Sequence, residues 1–94
     1  MKGTDEEVFY HIVRLSEGFS QNRANYLLGL FFETGTFVDQ DFAKSIRYYE
    51  KSAKTGNLAA MRKVSLLEKK DFPGHNPDMD KSLYWEKRFR EELE

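Results

Sequence analysis

The sequence predicts an all-α fold, and three observations support the prediction: helix-capping motifs, apolar residues at helical spacing, and a pattern that recurs about 36 positions along the chain. No segment alternates apolar and polar residues as a half-buried β-strand does. We therefore expect about five helices that pair as antiparallel hairpins and stack on one another.

The first two helices are predicted from their caps. Thr4-Asp5-Glu6-Glu7 is a capping box, in which the threonine and the last glutamate each satisfy a backbone N–H, and Gly18 is the expected end. Ser20 or Asn22 begins the second helix, and Gly35 ends it. The apolar residues of the first helix lie at helical spacing: Val8, Phe9, Ile12, Val13 and Leu15.

The third and fourth helices follow the same rules. Asp39 or Asp41 caps the third helix, and Gly56 supplies the left-handed residue that ends it. Asn57 then caps the fourth helix, which we expect to fray at residues 69–71. The apolar residues of these two helices are Phe42, Ala43, Ile46, Tyr49 and Ala53, followed by Leu58, Met61, Val64, Leu66 and Leu67.

One long connection, residues 72–77, precedes the last helix. We predict Asn76 as the cap and Pro77 as the first helical residue, because proline is favoured at that position. The last helix is amphipathic to the end of the chain, with apolar residues at i, i+4 and i+8: Trp85, Phe89 and Leu93.

Composition limits the classes of function. A chain of 94 residues, 39 % hydrophobic and 33 % charged, suits one small domain with a thin core. The absence of cysteine excludes disulfides, thiolate metal sites and cysteine nucleophiles. His75 lies near Asp78 and Asp80 in sequence, which suggests at most an adventitious metal contact, and His11 stands alone. We expect no catalytic site, no cofactor and no bound metal.

No membrane contact is expected from the sequence. No apolar run, Leu30 to Phe32 included, is long enough to span a bilayer, and the first seven residues turn acidic where a secretory signal would turn apolar. The cytoplasm is therefore the predicted location. Acidic residues near both ends of the chain are expected to form the polar outer faces of a complete short solenoid.

The net charge of −1 is unevenly distributed. Residues 41–70 carry eight basic against three acidic side chains, and both flanking segments are net acidic. This arrangement is compatible with an acidic partner, but helical surfaces carry such charges routinely, and head-to-tail self-association between copies is an equal alternative. On the third helix, a basic stripe lies at i, i+3, i+7 and i+10: Lys44, Arg47, Lys51 and Lys54. Its commoner interpretation is a solvated helix face, and its functional interpretation is nucleic-acid binding.

The repeat becomes visible when the chain is aligned with itself. Ala24 falls on Ala60 and Leu28 on Val64 at an offset of 36 residues. With one residue inserted in the loop, the remaining matches include Asp41 with Asp78, Lys44-Ser45 with Lys81-Ser82, and Tyr48 with Trp85.

The first copy resembles the Sel-one-like repeat, a relative of the tetratricopeptide repeat. The matching residues are Ala24, Leu28-Gly29, Phe32, Gly35, Val38, Asp41, Lys44, Tyr48-Tyr49, Lys51, Ala53 and Gly56. Ser45 and Ser52 stand where the family has alanine, and Phe37 replaces a loop glycine. In the second copy, Ser65 replaces the packing glycine and Glu68 the aromatic residue.

The resemblance implies a short right-handed α/α solenoid of two and a half repeats. Residues 4–18 would be a half repeat, residues 20–56 the best-matching repeat, and residues 57–94 a degenerate C-terminal repeat. In such solenoids Gly29 and Ala53 let paired helices approach closely, and aromatic side chains fill the space between layers.

The resemblance also implies a non-catalytic protein–protein interaction module that binds its partner on a concave face. The first helix of each hairpin lines that face, at Arg23, Tyr26, Leu30 and Glu33 and then at Ala59, Arg62, Leu66 and Lys69. Phe37 is a further loop contact or, alternatively, a staple that holds the loop onto Phe42 or a neighbouring helix.

Two classes of function remain open from the sequence. The first is an adaptor, a scaffold or a stoichiometric regulator such as an inhibitor or an immunity protein. The second is a nucleic-acid-associated protein that uses the basic segment 41–70, although specific binders are usually basic overall and this chain is not. The identity of the partner is not encoded in any motif.

Overall fold

The structure is a computed structural model that describes residues 4–16 and 21–94. Five helices lie within these ranges: α1 (Thr4–Ser16), α2 (Gln21–Thr34), α3 (Phe42–Lys54), α4 (Leu58–Leu67) and α5 (Met79–Leu93). The same residues form no strand, and Phe72 and His75 make a single isolated bridge. The predicted all-α class is confirmed.

The predicted caps of the middle helices are present. Asp41 caps α3 by accepting a hydrogen bond from the backbone N–H of Lys44 at 3.0 Å. Asn57 caps α4 in the same way, from the N–H of Ala60 at 2.9 Å. Gly56 adopts φ = 99°, the left-handed conformation expected of a residue that ends a helix. The predictions at Gly18 and Ser20 lie outside the described residues.

The predicted start of the last helix is wrong. Asp78, not Asn76, is the N-cap of α5, and its carboxylate accepts from the N–H of Lys81 at 3.0 Å. The N–H of Asp78 donates to the carbonyl of Glu68 at 2.6 Å, which ties the entry of α5 to the end of α4. Pro77 therefore stays in the connection, because the tertiary hydrogen bond determines where the helix begins.

The helices stack in chain order, as a solenoid requires. Each one packs on its neighbours in the chain: α1 on α2, α2 on α3, α3 on α4, and α4 on α5. The molecule measures 43 × 30 × 16 Å, and its Cα radius of gyration is 13.6 Å. A compact domain of this length would have a radius of about 12 Å. The helices thus form a short, open α/α solenoid.

The main core lies between α3, α4 and α5. Its members are Ile46, Tyr49, Ala53, Ala60, Met61, Val64, Leu67 and Trp85. Helix α1 contributes less, since Val8 is 42 % exposed and Phe9, Ile12 and Val13 are half-buried. The ring of Phe9 contacts Phe32 of α2 edge-on at 6.1 Å, which anchors α1 to the first hairpin.

A buried serine joins the two helices of each hairpin at the same place. The hydroxyl of Ser45 donates to the carbonyl of Gly29 at 2.7 Å, and the hydroxyl of Ser82 donates to the carbonyl of Ser65 at 2.6 Å. These pairs are equivalent under the internal alignment. The α4–α5 hairpin therefore repeats this hydrogen bond of the α2–α3 hairpin, although the sequence of the second copy has diverged.

The second shared hydrogen bond closes the connection within each hairpin. The N–H of Asp41 donates to the carbonyl of Phe32 at 2.8 Å, as Asp78 does to Glu68. In both hairpins the residue that caps the second helix is thus held by the last turn of the first. The two hairpins therefore share this hydrogen bond, although their connections differ in length and sequence.

The closest approach between α2 and α3 occurs at Gly29. A Cβ atom added there would lie 2.5 Å from Cδ1 and 2.6 Å from Cε1 of Tyr49, whose side chain is fully buried. Real Cβ atoms do not make contacts this short, so any other residue would push the two helices apart or displace the ring. The packing role predicted for Gly29 is explained by this contact.

Replacement of Gly29 by alanine should destabilise the protein. Alanine is intrinsically the better helix former by about 1 kcal/mol, but overpacking against the ring should lower the free energy of unfolding by about 1–3 kcal/mol. Urea unfolding followed by circular dichroism measures the change. In a Tyr49→Leu background the penalty of Gly29→Ala should shrink. A penalty of Gly29→Ala that is the same in the Tyr49→Leu background as in the parent would contradict the proposed contact.

Candidate protein-binding site

The residues predicted to line the concave face fall into two groups in the structure. Arg23, Arg62, Leu66 and Lys69 are exposed on α2, on α4 or just after α4. Leu66 is 44 % exposed. The guanidinium of Arg62 lies 5.8 Å from the ring centre of Phe89, so this arginine is held above α5 rather than moving freely.

The other predicted residues make contacts inside the solenoid. Tyr26 packs against Tyr49, with ring centres 5.4 Å apart, and Leu30 packs against the main core. Both side chains are half-buried. They fill the seam between α2 and the next hairpin, and only part of each remains available to a partner.

Glu33 is the polar centre of this seam. Its carboxylate accepts a hydrogen bond from the hydroxyl of Tyr49 at 2.5 Å and from Nζ of Lys63 at 3.0 Å. Burial and the adjacent carboxylate raise the pKa of Tyr49, so the hydroxyl remains a donor. Three helices, α2, α3 and α4, therefore meet at one carboxylate.

The sequence gives no indication of the Glu33–Lys63 ion pair. The two residues are 30 positions apart and belong to different hairpins, so only the stacking of the repeats brings them together. The Nζ of Lys63 also lies 5.8 Å from the ring centre of Tyr49. The only local feature of the sequence that points to this contact is Glu33 itself, a lone glutamate on a helix that is otherwise rich in apolar residues.

Phe37 has features of both roles predicted from the sequence, an exposed loop contact and a staple that holds the loop. Its ring packs edge-on against Phe31 of α2, with centres 4.9 Å apart, so it staples the loop to a neighbouring helix. It remains 41 % exposed and adopts φ = 68°, a conformation that favours glycine. The alternative staple onto Phe42 is wrong, because Phe42 stacks on Phe72 instead, with ring centres 4.1 Å apart.

Glu68 and His75 form a pair that the sequence did not predict. The side chain of Glu68 is only 3 % exposed, and its Oε1 lies 3.5 Å from Nε2 of His75. Desolvation raises the pKa of the Glu68 carboxyl above its usual value, opposed by the charges of His75 and Lys81. The pair fastens the connection between α4 and α5 at the position where the first repeat has a buried aromatic ring.

The sequence suggests at most an adventitious metal contact at His75. Its imidazole faces Glu68, and nowhere in residues 4–16 and 21–94 do three histidine or carboxylate side chains converge as metal ligands would. In the same described ranges, no helix combines the length and the apolar character needed to cross a bilayer.

The comparison with protein families gives a match that corresponds to a structural unit. The model of the Sel1 repeat matches residues 22–57. This segment contains nearly all of α2, the whole of α3 and the Asn57 cap of α4. Residues 22–57 are similar to a Sel1 repeat. The resemblance drawn from the sequence is thereby confirmed, and Sel1 repeats are helical, tetratricopeptide-like hairpins that generally mediate protein–protein interaction.

Comparison with curated proteins and with solved structures found no match. The Sel1 repeat covers the first complete hairpin, and the α4–α5 hairpin repeats its serine and cap hydrogen bonds outside the matched segment. The half repeat predicted at residues 4–18 corresponds in the described residues to α1, which packs on α2.

Replacement of Glu68 by glutamine should change how stability depends on pH. Because the pKa of Glu68 is raised in the folded state, this residue favours folding below its unfolded pKa of about 4.3, and that contribution is lost as pH rises through the folded value. The variant should therefore be more stable than the parent at pH 7. The difference should disappear near pH 4 and below.

Thermal unfolding across a pH series measures this effect. Glu91→Gln, the same replacement at an exposed position of α5, gives the background effect of the change. A Glu68→Gln variant that is less stable than the parent at neutral pH would show that the ion pair with His75 outweighs the desolvation of the carboxylate.

Proposed function

We propose that this protein is a non-catalytic interaction module that binds a partner protein on the face formed by α2 and α4. The Sel1 repeat at residues 22–57 supports the general role, since such repeats act through binding. The exposed residues on that face support the location. The predicted roles are those of an adaptor, a scaffold or a stoichiometric regulator.

Leu66 carries the proposal. It is the exposed apolar side chain of α4 that lies one helical turn from Arg62 and from Lys69. An apolar anchor between two cations suits a partner surface with an apolar pocket and carboxylates around it. The partner is accordingly proposed to be an acidic protein.

The helices of this face are joined beneath it. Glu33 is bonded to both Tyr49 and Lys63, which links α2 to α3 and to α4. A preorganised face loses less entropy when a partner binds. These bonds favour a role in which the protein offers a preformed surface.

More specifically, the protein is proposed to act as an inhibitor or an immunity-type protein. A chain of 94 residues that offers a rigid face fits a protein that acts by occupying the surface of a partner. The cytoplasmic location stays a prediction from the sequence.

Leu66→Arg should abolish partner binding while leaving the fold intact. The leucine is 44 % exposed and lies outside the core, and loss of an interface anchor typically weakens binding by about tenfold or more. Leu83→Arg on α5 is the matched control, because Leu83 is 57 % exposed in the same repeat but on another helix. Tyr26 is a poorer probe, since its ring supports Tyr49.

Affinity purification from the native source with quantitative mass spectrometry compares the parent and the two variants. We expect a partner that is retained by the parent and by Leu83→Arg but lost by Leu66→Arg. Calorimetry with that partner then gives the change in dissociation constant. Equal retention by all three proteins would exclude the α2–α4 face as the binding surface.

A further inference from the structure

A second surface lies between α1 and α3, apart from the α2–α4 face. It is an open groove of about 440 Å³ lined by aromatic rings and cations, here called the basic–aromatic groove. The residues that matter to its chemistry are Phe9, Phe32, Tyr48, Lys44, Arg47 and Lys51. The three cations belong to the basic stripe recognised in the sequence, which therefore faces a cavity rather than open solvent alone.

The aromatic residues form a fixed floor. Phe32 and Tyr48 are stacked with ring centres 5.6 Å apart and planes 1° from parallel. Phe9 meets Phe32 edge-on, and both Phe9 and Tyr48 are only half-buried. Their accessible edges offer an apolar side chain a preformed place to pack.

The cations above this floor lie close to aromatic rings. Nζ of Lys44 lies 5.5 Å from the ring centre of Phe32, and Nζ of Lys51 lies 5.3 Å from that of Tyr48. Arg47 lies between them on the same helix face. Within the part of the chain that the structure describes, no carboxylate forms an ion pair with any of the three. Like charges at this spacing repel, and a bound anion would relieve the repulsion.

We propose that the basic–aromatic groove binds a short acidic segment of a partner protein. One aromatic or aliphatic side chain of that segment packs on Phe9 and Tyr48, and flanking carboxylates pair with Lys44, Arg47 and Lys51. The volume of about 440 Å³ accommodates one large side chain with its neighbours. Cations already positioned over rings need little reordering to meet a carboxylate.

A peptide fits this groove better than a nucleic acid does. The groove continues into a second cavity of about 470 Å³ that shares Lys44 but is also lined by Asp39 and Asp41. These carboxylates would repel the successive phosphates of a strand passing along the groove. Phe32 and Tyr48 stack on each other, and each ring also has a lysine Nζ over it, so neither offers a free platform for a stacked base.

A second copy of the chain is a poorer occupant. Its α5 has the most acidic side chains of the described helices, but it carries as many basic ones: Glu86 is paired with Arg90 at 2.8 Å, and Glu92 lies 4.0 Å from Arg88. The net-acidic helix α1 already lines this groove through Phe9 in each copy. If α5 entered the groove, its arginines would come close to Lys44, Arg47 and Lys51 together with the glutamates, and the like charges would repel. The charge of the groove therefore complements a foreign acidic segment better than it complements the chain itself.

The groove goes beyond the function proposed for the α2–α4 face and can be tested without it. The probe is a fluorescein-labelled peptide with one phenylalanine flanked on both sides by glutamates, titrated with the full chain at low ionic strength. Fluorescence anisotropy should show saturable binding that weakens by about tenfold or more with Lys51→Glu. Lys87→Glu, the same charge change at an exposed position of α5, should alter binding by less than about twofold.

Three further measurements complete the test. A peptide with glutamine in place of glutamate, and one with glycine in place of phenylalanine, should each bind at least about tenfold more weakly. Leu66→Arg should leave peptide binding unchanged, so failure of either surface can be recognised separately. Circular dichroism confirms that Lys51→Glu is folded.

Several results would overturn the proposal. They are the absence of peptide binding at low salt, equal weakening by Lys51→Glu and Lys87→Glu, and tighter binding of a labelled single-stranded oligonucleotide that Lys51→Glu abolishes. A concentration-dependent mass in light scattering that Lys51→Glu removes would identify a second copy as the occupant instead.

Discussion

The contact between the Gly29 backbone and the ring of Tyr49 is the constraint on which the rest of the structure depends. It sets the separation of α2 and α3, and it positions the tyrosine hydroxyl to donate to Glu33. Glu33 in turn binds Lys63 of α4, so the next hairpin is placed by the same ring. A glycine-sized gap in one helix thereby connects the packing of the first hairpin to the position of α4, which the core between α3, α4 and α5 also holds.

The second hairpin reaches the same geometry with different chemistry. Its serine and cap hydrogen bonds match those of the first, but Glu68 occupies the position of the aromatic Phe32. A buried carboxylate costs stability unless it is paired, and His75 and Lys81 offset that cost only in part. The backbone pattern of the repeat thus tolerates a polar group inside, provided that the adjoining connection supplies a partner for it.

The solenoid exposes two surfaces of different character. The α2–α4 face presents Leu66 between cations, whereas the groove between α1 and α3 has an aromatic floor beneath three cations. The region between α3 and α5 is different again, because Glu50 and Lys81 approach each other there at 3.8 Å. A stack of only a few helices can therefore carry separate sites. The space between α1 and α3 is open, whereas an ion pair bridges α3 and α5.

The sequence by itself determined the helical class, the caps at Asp41 and Asn57, the close approach at Gly29 and the repeat at residues 22–57. These features arise from residues near one another in the chain, where spacing reports geometry directly. Tertiary structure alone decided that α5 begins after Asp78, that Tyr26 and Leu30 are partly buried, and that the basic stripe lines a groove. Each of these depends on which helix lies opposite, and that is set by stacking between segments about 30 residues apart, which no local pattern specifies.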